Sequence, residues 1–312
     1  MYRRISVALL VAVLSAACCY YQLIQLNAEA ADFTWSLRGA QQLLAGLNPY
    51  HDPTLGPAFP YPHNDPLFYP LPALLIALPF VAFPPALAGA LFFGCSSGLL
   101  AFGLTRENYA RLPVFLSVPF INALGAAQWS PLITAAALIP ALFPVILAKP
   151  SLGLPIAVTY PTRRGVLACA AILLGSLLVL PTWPYDWLNN IGQHRDLIPL
   201  LLFPGQLLVL AALRWREKRA RLLLTMALIP QVFYYDPLAL WLIPHSFRES
   251  MLLSLLSWIG FFVATQLQLP VTQTAVIGVA FIYLPALAIV IRPTLTTAFQ
   301  RLRRPHAAAS ST

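Results

Sequence analysis

The chain has 312 residues, of which 59% are hydrophobic and only 9% charged, with a formal net charge of +9. Soluble domains carry about 25% charged residues, so this composition excludes a soluble enzyme and points to a multi-spanning membrane protein. The basic residues fall in short clusters between apolar runs, as the positive-inside rule expects, which argues against nucleic acid as a partner.

In lipid every backbone polar group must be satisfied internally, so spans are helices or a closed barrel. The apolar runs here do not alternate, which selects helices and an all-α fold. The 30 prolines predict broken helices, which are tolerated at membrane depth where they line a cavity. Four cysteines, Cys18, Cys19, Cys95 and Cys169, lie in apolar runs without metal-like spacing and read as buried thiols.

Tyr2-Arg3-Arg4 precedes an apolar run that continues through Leu26. This reads as an uncleaved first helix over about 5–26, entering from the basic side. Residues 27–70 then lie outside. Within them 32–47 has apolar residues at helical spacing, with Arg38 and Gln41 on other faces, and reads as an interfacial helix. Gly46 and Pro49 end it, and 51–66 is a Pro/Gly/Asn-rich loop. A half-embedded helix is expected over 71–83, then spans over 86–104 and 112–126. Residues 130–162 exceed one span and carry Pro144, Lys149-Pro150 and Pro155, which predicts a broken helix. Span 166–181 leads to an aromatic outer loop, 182–196, and span 197–213 returns to Arg214–Arg219. Residues 221–246 read as two half-helices meeting at Tyr234-Tyr235-Asp236-Pro237. Spans 250–268 and 273–291 complete one domain, 1–291, of about nine to eleven membrane segments. The tail 292–312 is basic, then Ala/Ser-rich, a composition that predicts disorder. On this topology both termini are cytoplasmic, and of the arginines only Arg38 and Arg195 lie outside.

The long polar interval 32–72 is where chemistry is expected. Asp32 sits just past the first helix, at an interfacial depth that desolvates a carboxylate and makes it a better proton acceptor. Asp is also a good N-cap for the helix that follows, and the two roles are compatible. Asp52 and Asp65, beside His51 and His63, have the ligand types for a divalent metal, though such residues serve turns equally well. The chain has no nucleotide-type Gly-rich loop, no Gly-x-Ser-x-Gly and no His-Glu-x-x-His. Lys149 and Asp236 are the most deeply placed ionisable residues, so by default they face a cavity or a partner. They could pair with each other. Lys149 could instead meet a phosphate or snorkel to an interface.

Asp32-Phe33 after the first helix, Leu43-Leu44-Ala45-Gly46-Leu47-Asn48-Pro49-Tyr50, Tyr69-Pro70-Leu71-Pro72, Gln128 and the later Lys149-Pro150 together resemble the glycosyltransferase family 87 pattern. That family belongs to the GT-C superfamily of membrane transferases, which use polyprenyl-phosphate sugars. The resemblance covers about residues 1–165. Where the family mostly has Tyr-Pro-Pro and Gly-Gln, this chain has Leu71 and Ala127. The resemblance implies a polytopic helix bundle of GT-C type with a catalytic first external loop. It implies an inverting hexosyltransferase on the outer face of a bacterial inner membrane. The donor would be a polyprenyl-phosphate sugar, mannose or a similar one, and the acceptor a lipid or glycan. Asp32 would be the general base. With the residues read from loop and depth added, the candidate substrate contacts are Arg38, Tyr50, His51, Asp52, His63, Asp65, Gln128, Lys149, Arg195 and Asp236, and no cofactor is expected. Two rivals stay open on the sequence: a transporter or flippase built on the broken helices, and a non-catalytic accessory membrane protein.

Overall fold

A computed structural model describes residues 1–51, 66–191, 197–232 and 234–292. The described residues are helical, apart from one isolated antiparallel bridge between Leu197 and Gln231. Helix α1 is Tyr2–Gln25 and α2 is Phe33–Leu44. The short α3, Leu71–Ala77, follows, then α4, Pro85–Leu104. The prolines then fragment the chain. A 3-10 stretch over Leu112–Leu116 leads to α5, Val118–Gly125, and α6, Ser130–Ala136. A second 3-10 stretch, Pro140–Ala148, precedes α7, Pro150–Thr159. Helix α8, Arg163–Val179, bends by 98° into α9, Trp183–Ile191. A 3-10 stretch over Gly205–Arg214 leads to α10, Lys218–Leu228, and another over Asp236–Leu242 to α11, Phe247–Gln266. The last helix, α12, runs Val271–Arg292 with a π-helical turn at Val279–Tyr283.

The protein is a membrane protein. Among the described residues four helices are long and apolar enough to cross a membrane, α1, α4, α11 and α12, or five if the bent α8–α9 pair is one span. The other segments of the nine to eleven expected, half-helices among them, are shorter or broken. Proline is the reason: it removes a backbone donor and clashes with the preceding turn, so the 112–126 span divides between Pro113 and Pro119, with Ser117 capping the second piece. The 197–213 span is likewise 3-10 helix around Pro199 and Pro204 rather than an α-helix. The broken helix over 130–162 is observed, with Pro144 inside its middle 3-10 stretch. Large apolar side chains such as Leu9, Leu167, Leu178 and Phe262 stand exposed on the outer helix faces, as a lipid solvent allows. Cys18 and Cys95 are exposed on these faces too, so only Cys19 and Cys169 are the buried thiols expected of all four.

Helices α1 and α4 pack through small residues. A Cβ built on Gly94 would sit 2.6 Å from the Ala16 Cβ and 2.8 Å from the Ala12 carbonyl oxygen, and one on Gly98 2.8 Å from the Ala12 Cβ. This is the small-xxx-small contact that lets helix backbones approach in a membrane, where apolar burial alone gives no drive. Gly94→Val is expected to destabilise the protein by about 1–3 kcal/mol through overpacking, read as a lower melting temperature in detergent. Cys95→Val, one residue along on the exposed face, should leave that temperature unchanged.

The contacts sort the loops to two ends. Arg4 donates to the Phe102 carbonyl at 2.9 Å, Arg111 to the Pro244 carbonyl at 2.9 Å and Arg214 to the Val290 carbonyl. Lys218 lies over the Tyr160 ring. The basic clusters therefore share one end of the bundle. The 45–51 and 67–70 segments and α9 share the other, where Asn190 donates to the Leu67 carbonyl and the Trp187 indole to the Phe68 carbonyl at 2.8 Å.

Candidate functional site

The site begins with two backbone corners. Ala31 and Ala127 both have φ of +46°, a left-handed conformation that costs a non-glycine residue about 1–2 kcal/mol. The residues immediately after them are Asp32 and Gln128. The two corners are joined: the Asp32 amide donates to the Ala126 carbonyl at 3.1 Å, and the Gln128 side-chain amide donates to Asp32 Oδ2. Such conformations persist where the surroundings over-determine them, and they cluster at functional sites. A glycine would hold the Ala127 corner without that penalty.

Asp32 holds the N-cap position of α2, as expected, but its side chain does not cap the helix. Its backbone is already helical, at φ −64° and ψ −20°, and its side chain makes no capping bond. The carboxylate turns away from α2 toward Gln128 and Tyr235, whose hydroxyl donates to the same Oδ2 at 3.1 Å. Burial raises the Asp32 pKa from its ordinary value, opposed by the nearby Lys149 charge and by the Tyr235 and Gln128 hydrogen bonds. The result is a carboxylate primed to take a proton.

Asp32 lines a cavity of about 830 Å³ at the end of the bundle opposite the basic clusters. Its walls come from the head of α2, residues 68–70, the 148–151 corner, α9 and the 230–235 break. Trp35, Phe68, Tyr69, Trp187 and Tyr235 give it a strongly aromatic lining, and Lys149 supplies a cation. The Lys149 ammonium lies 2.7 Å from Asp236 Oδ1 and 4.7 Å from the centre of the Tyr235 ring. Asp236 is fully buried, and its other oxygen accepts from the Val232 amide at 2.8 Å. Of the readings of Lys149, snorkelling to an interface is replaced by this ion pair. The two proline breaks of the sequence, one ending at Lys149-Pro150 and one at Asp236-Pro237, thus deliver the pair to one place.

The structure brings Asp32, Gln128, Lys149 and Asp236 together. Asp32 and Lys149 line the cavity, Gln128 and Asp236 bond to them, and the other described candidates lie elsewhere. Arg38 lies on a different face of α2 from Leu37 and Ala40, as its spacing predicts, yet it is fully buried there. Tyr50 is buried and donates its hydroxyl to the Tyr69 carbonyl at 3.0 Å, so it ties two segments together. His51 is largely exposed and pairs with Asp186 at 3.2 Å. Asp52, His63, Asp65 and Arg195 lie outside the described residues. No group of three or more metal-ligating side chains converges among the described residues.

Two parts of the site were missed in the sequence. The aromatic segment after α8 was read as a loop, but it is helix α9, which lays Trp187 and Ile191 along the cavity. Its Asp186 accepts from Thr182 at 2.8 Å and Asn48 at 3.2 Å, and its Asn190 also reaches the Tyr50 carbonyl, which fastens the 45–51 segment beside the cavity. Asp186 and Asn190 lie four apart, a helical spacing that the aromatic content concealed. Tyr235 was noted only as part of a midpoint between half-helices. No protein-family model, curated protein or solved structure matches this chain.

Proposed function

We propose that this protein is a membrane glycosyltransferase of the GT-C kind, moving a sugar from a polyprenyl-phosphate donor to a hydroxyl of a lipid or glycan acceptor. One observation carries the reading: Asp32 faces a large aromatic-walled cavity that also holds Lys149, at the end of the bundle away from the basic clusters. The resemblance of residues 1–165 to glycosyltransferase family 87 supports it. In the proposed step Asp32 takes the proton of the acceptor hydroxyl as that oxygen attacks the anomeric carbon. The bond from the anomeric carbon to the phosphate oxygen breaks, and the departing polyprenyl phosphate takes its electron pair. A cation near that oxygen stabilises the developing charge, and Lys149 is the cation among the described residues that line the cavity. A single displacement inverts the anomeric configuration. The same cavity wall, built from two broken helices around a buried ion pair, also suits a transporter, which would move substrate across the bilayer without breaking a glycosidic bond.

The test is transfer by purified protein in liposomes supplied with radiolabelled polyprenyl-phosphate mannose and other polyprenyl-phosphate sugars. Turnover to a new glycoside or to free sugar supports the reading, while movement of intact donor with no bond cleavage refutes it. We propose further that the protein lies in a bacterial inner membrane with the cavity outside and both termini cytoplasmic. Leu47→Cys, an exposed position near the cavity end, should react with a membrane-impermeant thiol reagent in intact cells. Arg216→Cys, exposed at the basic end, should react only after permeabilisation. The reverse pattern would invert the orientation.

A further inference from the structure

The Tyr235-Asp236 dipeptide touches both charges of the cavity. Tyr235 donates its hydroxyl to Asp32, and Asp236, the next residue, holds Lys149. It sits about ninety residues beyond Lys149 and about two hundred beyond Asp32, outside the 1–165 stretch that carries the family resemblance. Both donors to Asp32, Tyr235 and Gln128, reach the same oxygen, Oδ2. Oδ1 accepts no hydrogen bond among the described residues. Lys149 lies close enough to Asp32 to stabilise its charge, yet its ammonium is engaged by Asp236 at 2.7 Å.

We propose that Tyr235 and Asp236 are the positioning residues of this site: the Tyr235 hydroxyl fixes Oδ2 so that Oδ1 receives the proton, and Asp236 keeps the Lys149 ammonium from collapsing onto Asp32. The physical need is plain. An ammonium paired directly with a carboxylate makes it a poor base, because the opposite charge favours the ionised form. A counter-carboxylate behind the lysine divides that charge, so base and cation coexist in one cavity. Asp236 can do this because it is fixed on its other side by the Val232 amide. The groups facing Asp32 are then Lys149 from the 148–151 corner, Tyr235 and Asp236 from the 235–237 break, and Gln128 after α5, with Tyr69 also lining the cavity. Arg38 lies on α2, the helix that Asp32 leads into, and is fully buried there. The inference rests on Asp32 being the proton acceptor of the proposed transfer.

The two residues act on Asp32 with opposite signs, which gives a test that a merely structural role would not pass. Tyr235→Phe removes a donor to the carboxylate, so the proton binds more tightly. Asp236→Asn removes a negative charge and releases Lys149 toward Asp32, so the proton binds less tightly. A hydrophobic carbodiimide reacts with a protonated carboxyl, and the pH midpoint of Asp32 labelling, read by mass spectrometry on the full-length protein in detergent, follows that proton without any need for turnover. The midpoint is expected to rise by about one pH unit in Tyr235→Phe, since a hydrogen bond to a charged group is worth about that much, and to fall in Asp236→Asn. Midpoints that stay at the wild-type value in both variants, or move the same way in both, would overturn the proposal. Should Asp236→Asn fail to fold, the Tyr235→Phe midpoint decides alone, because that variant keeps the ring and its packing. Loss of transfer in Asp32→Asn tests the reaction separately, so the two readings can fail independently.

Discussion

Asp32→Asn is expected to lower sugar transfer by about 10²–10⁴-fold, the usual worth of a general base, while the protein folds and binds donor as before. The substitution is well matched to the geometry. Gln128 and Tyr235 both donate to Oδ2, and the asparagine oxygen can take that place without leaving either donor unpaired. What is lost is the proton acceptor. Asp32→Ala is the contrasting variant. Because the side chain makes no capping bond, a change to Ala removes no cap. It instead leaves the two donors without their acceptor, at a cost of about 1–3 kcal/mol for each group that stays buried. Transfer should also fall as the medium is acidified. Burial raises the Asp32 pKa, so the proton returns to the carboxylate at a higher pH than for an ordinary aspartate, and the base is lost below that point. Wild-type transfer by Asp32→Asn, measured with saturating donor and acceptor, would remove Asp32 as the base and leave Asp52 and Asp65 to be tried.

How much of this was legible in the sequence depends on the kind of signal. The uninterrupted apolar runs of α1, α4 and α11 could be placed to within a few residues, because lipid demands a continuous helix there. Proline-rich runs of equal hydropathy could not. Residues 112–126 and 197–213 look like spans by composition, yet their prolines leave 3-10 stretches, and counting apolar residues cannot distinguish the two. The cost of burying a charge marked Lys149 and Asp236 as facing a cavity or a partner, and their pairing was one reading among several that the structure then selected. The fate of Arg38 was not legible, because an arginine on the polar face of an amphipathic helix reads as solvent-facing, whereas here it is fully buried. The left-handed corners at Ala31 and Ala127 were invisible as well, since alanine gives no hint of positive φ. The contact of Tyr235 with Asp32 crosses about two hundred residues, and only a fold could reveal it.

Lys149→Met is expected to destabilise the folded protein by about 3–5 kcal/mol, beyond any effect on donor binding, because it strands a buried carboxylate. The Asp236 side chain is about 1% exposed and that of Lys149 about 14%, so Asp236 is the partner that cannot turn to solvent. Its remaining bond, from the Val232 amide, does not neutralise the charge. The single variant therefore confounds two roles, and loss of transfer in it would say little about the phosphate. The double variant Lys149→Met with Asp236→Leu separates them. Replacing both members of a buried pair with apolar residues of similar size is commonly neutral or stabilising, so the double variant should recover most of the melting temperature. If Lys149 also meets the donor phosphate, the recovered protein should still bind donor weakly, read as a raised Kd for polyprenyl phosphate. A double variant as unstable as the single one would show that the pair is not the source of the instability. A stable double variant with unchanged donor affinity would confine Lys149 to holding the 148–151 corner against the 230–237 break.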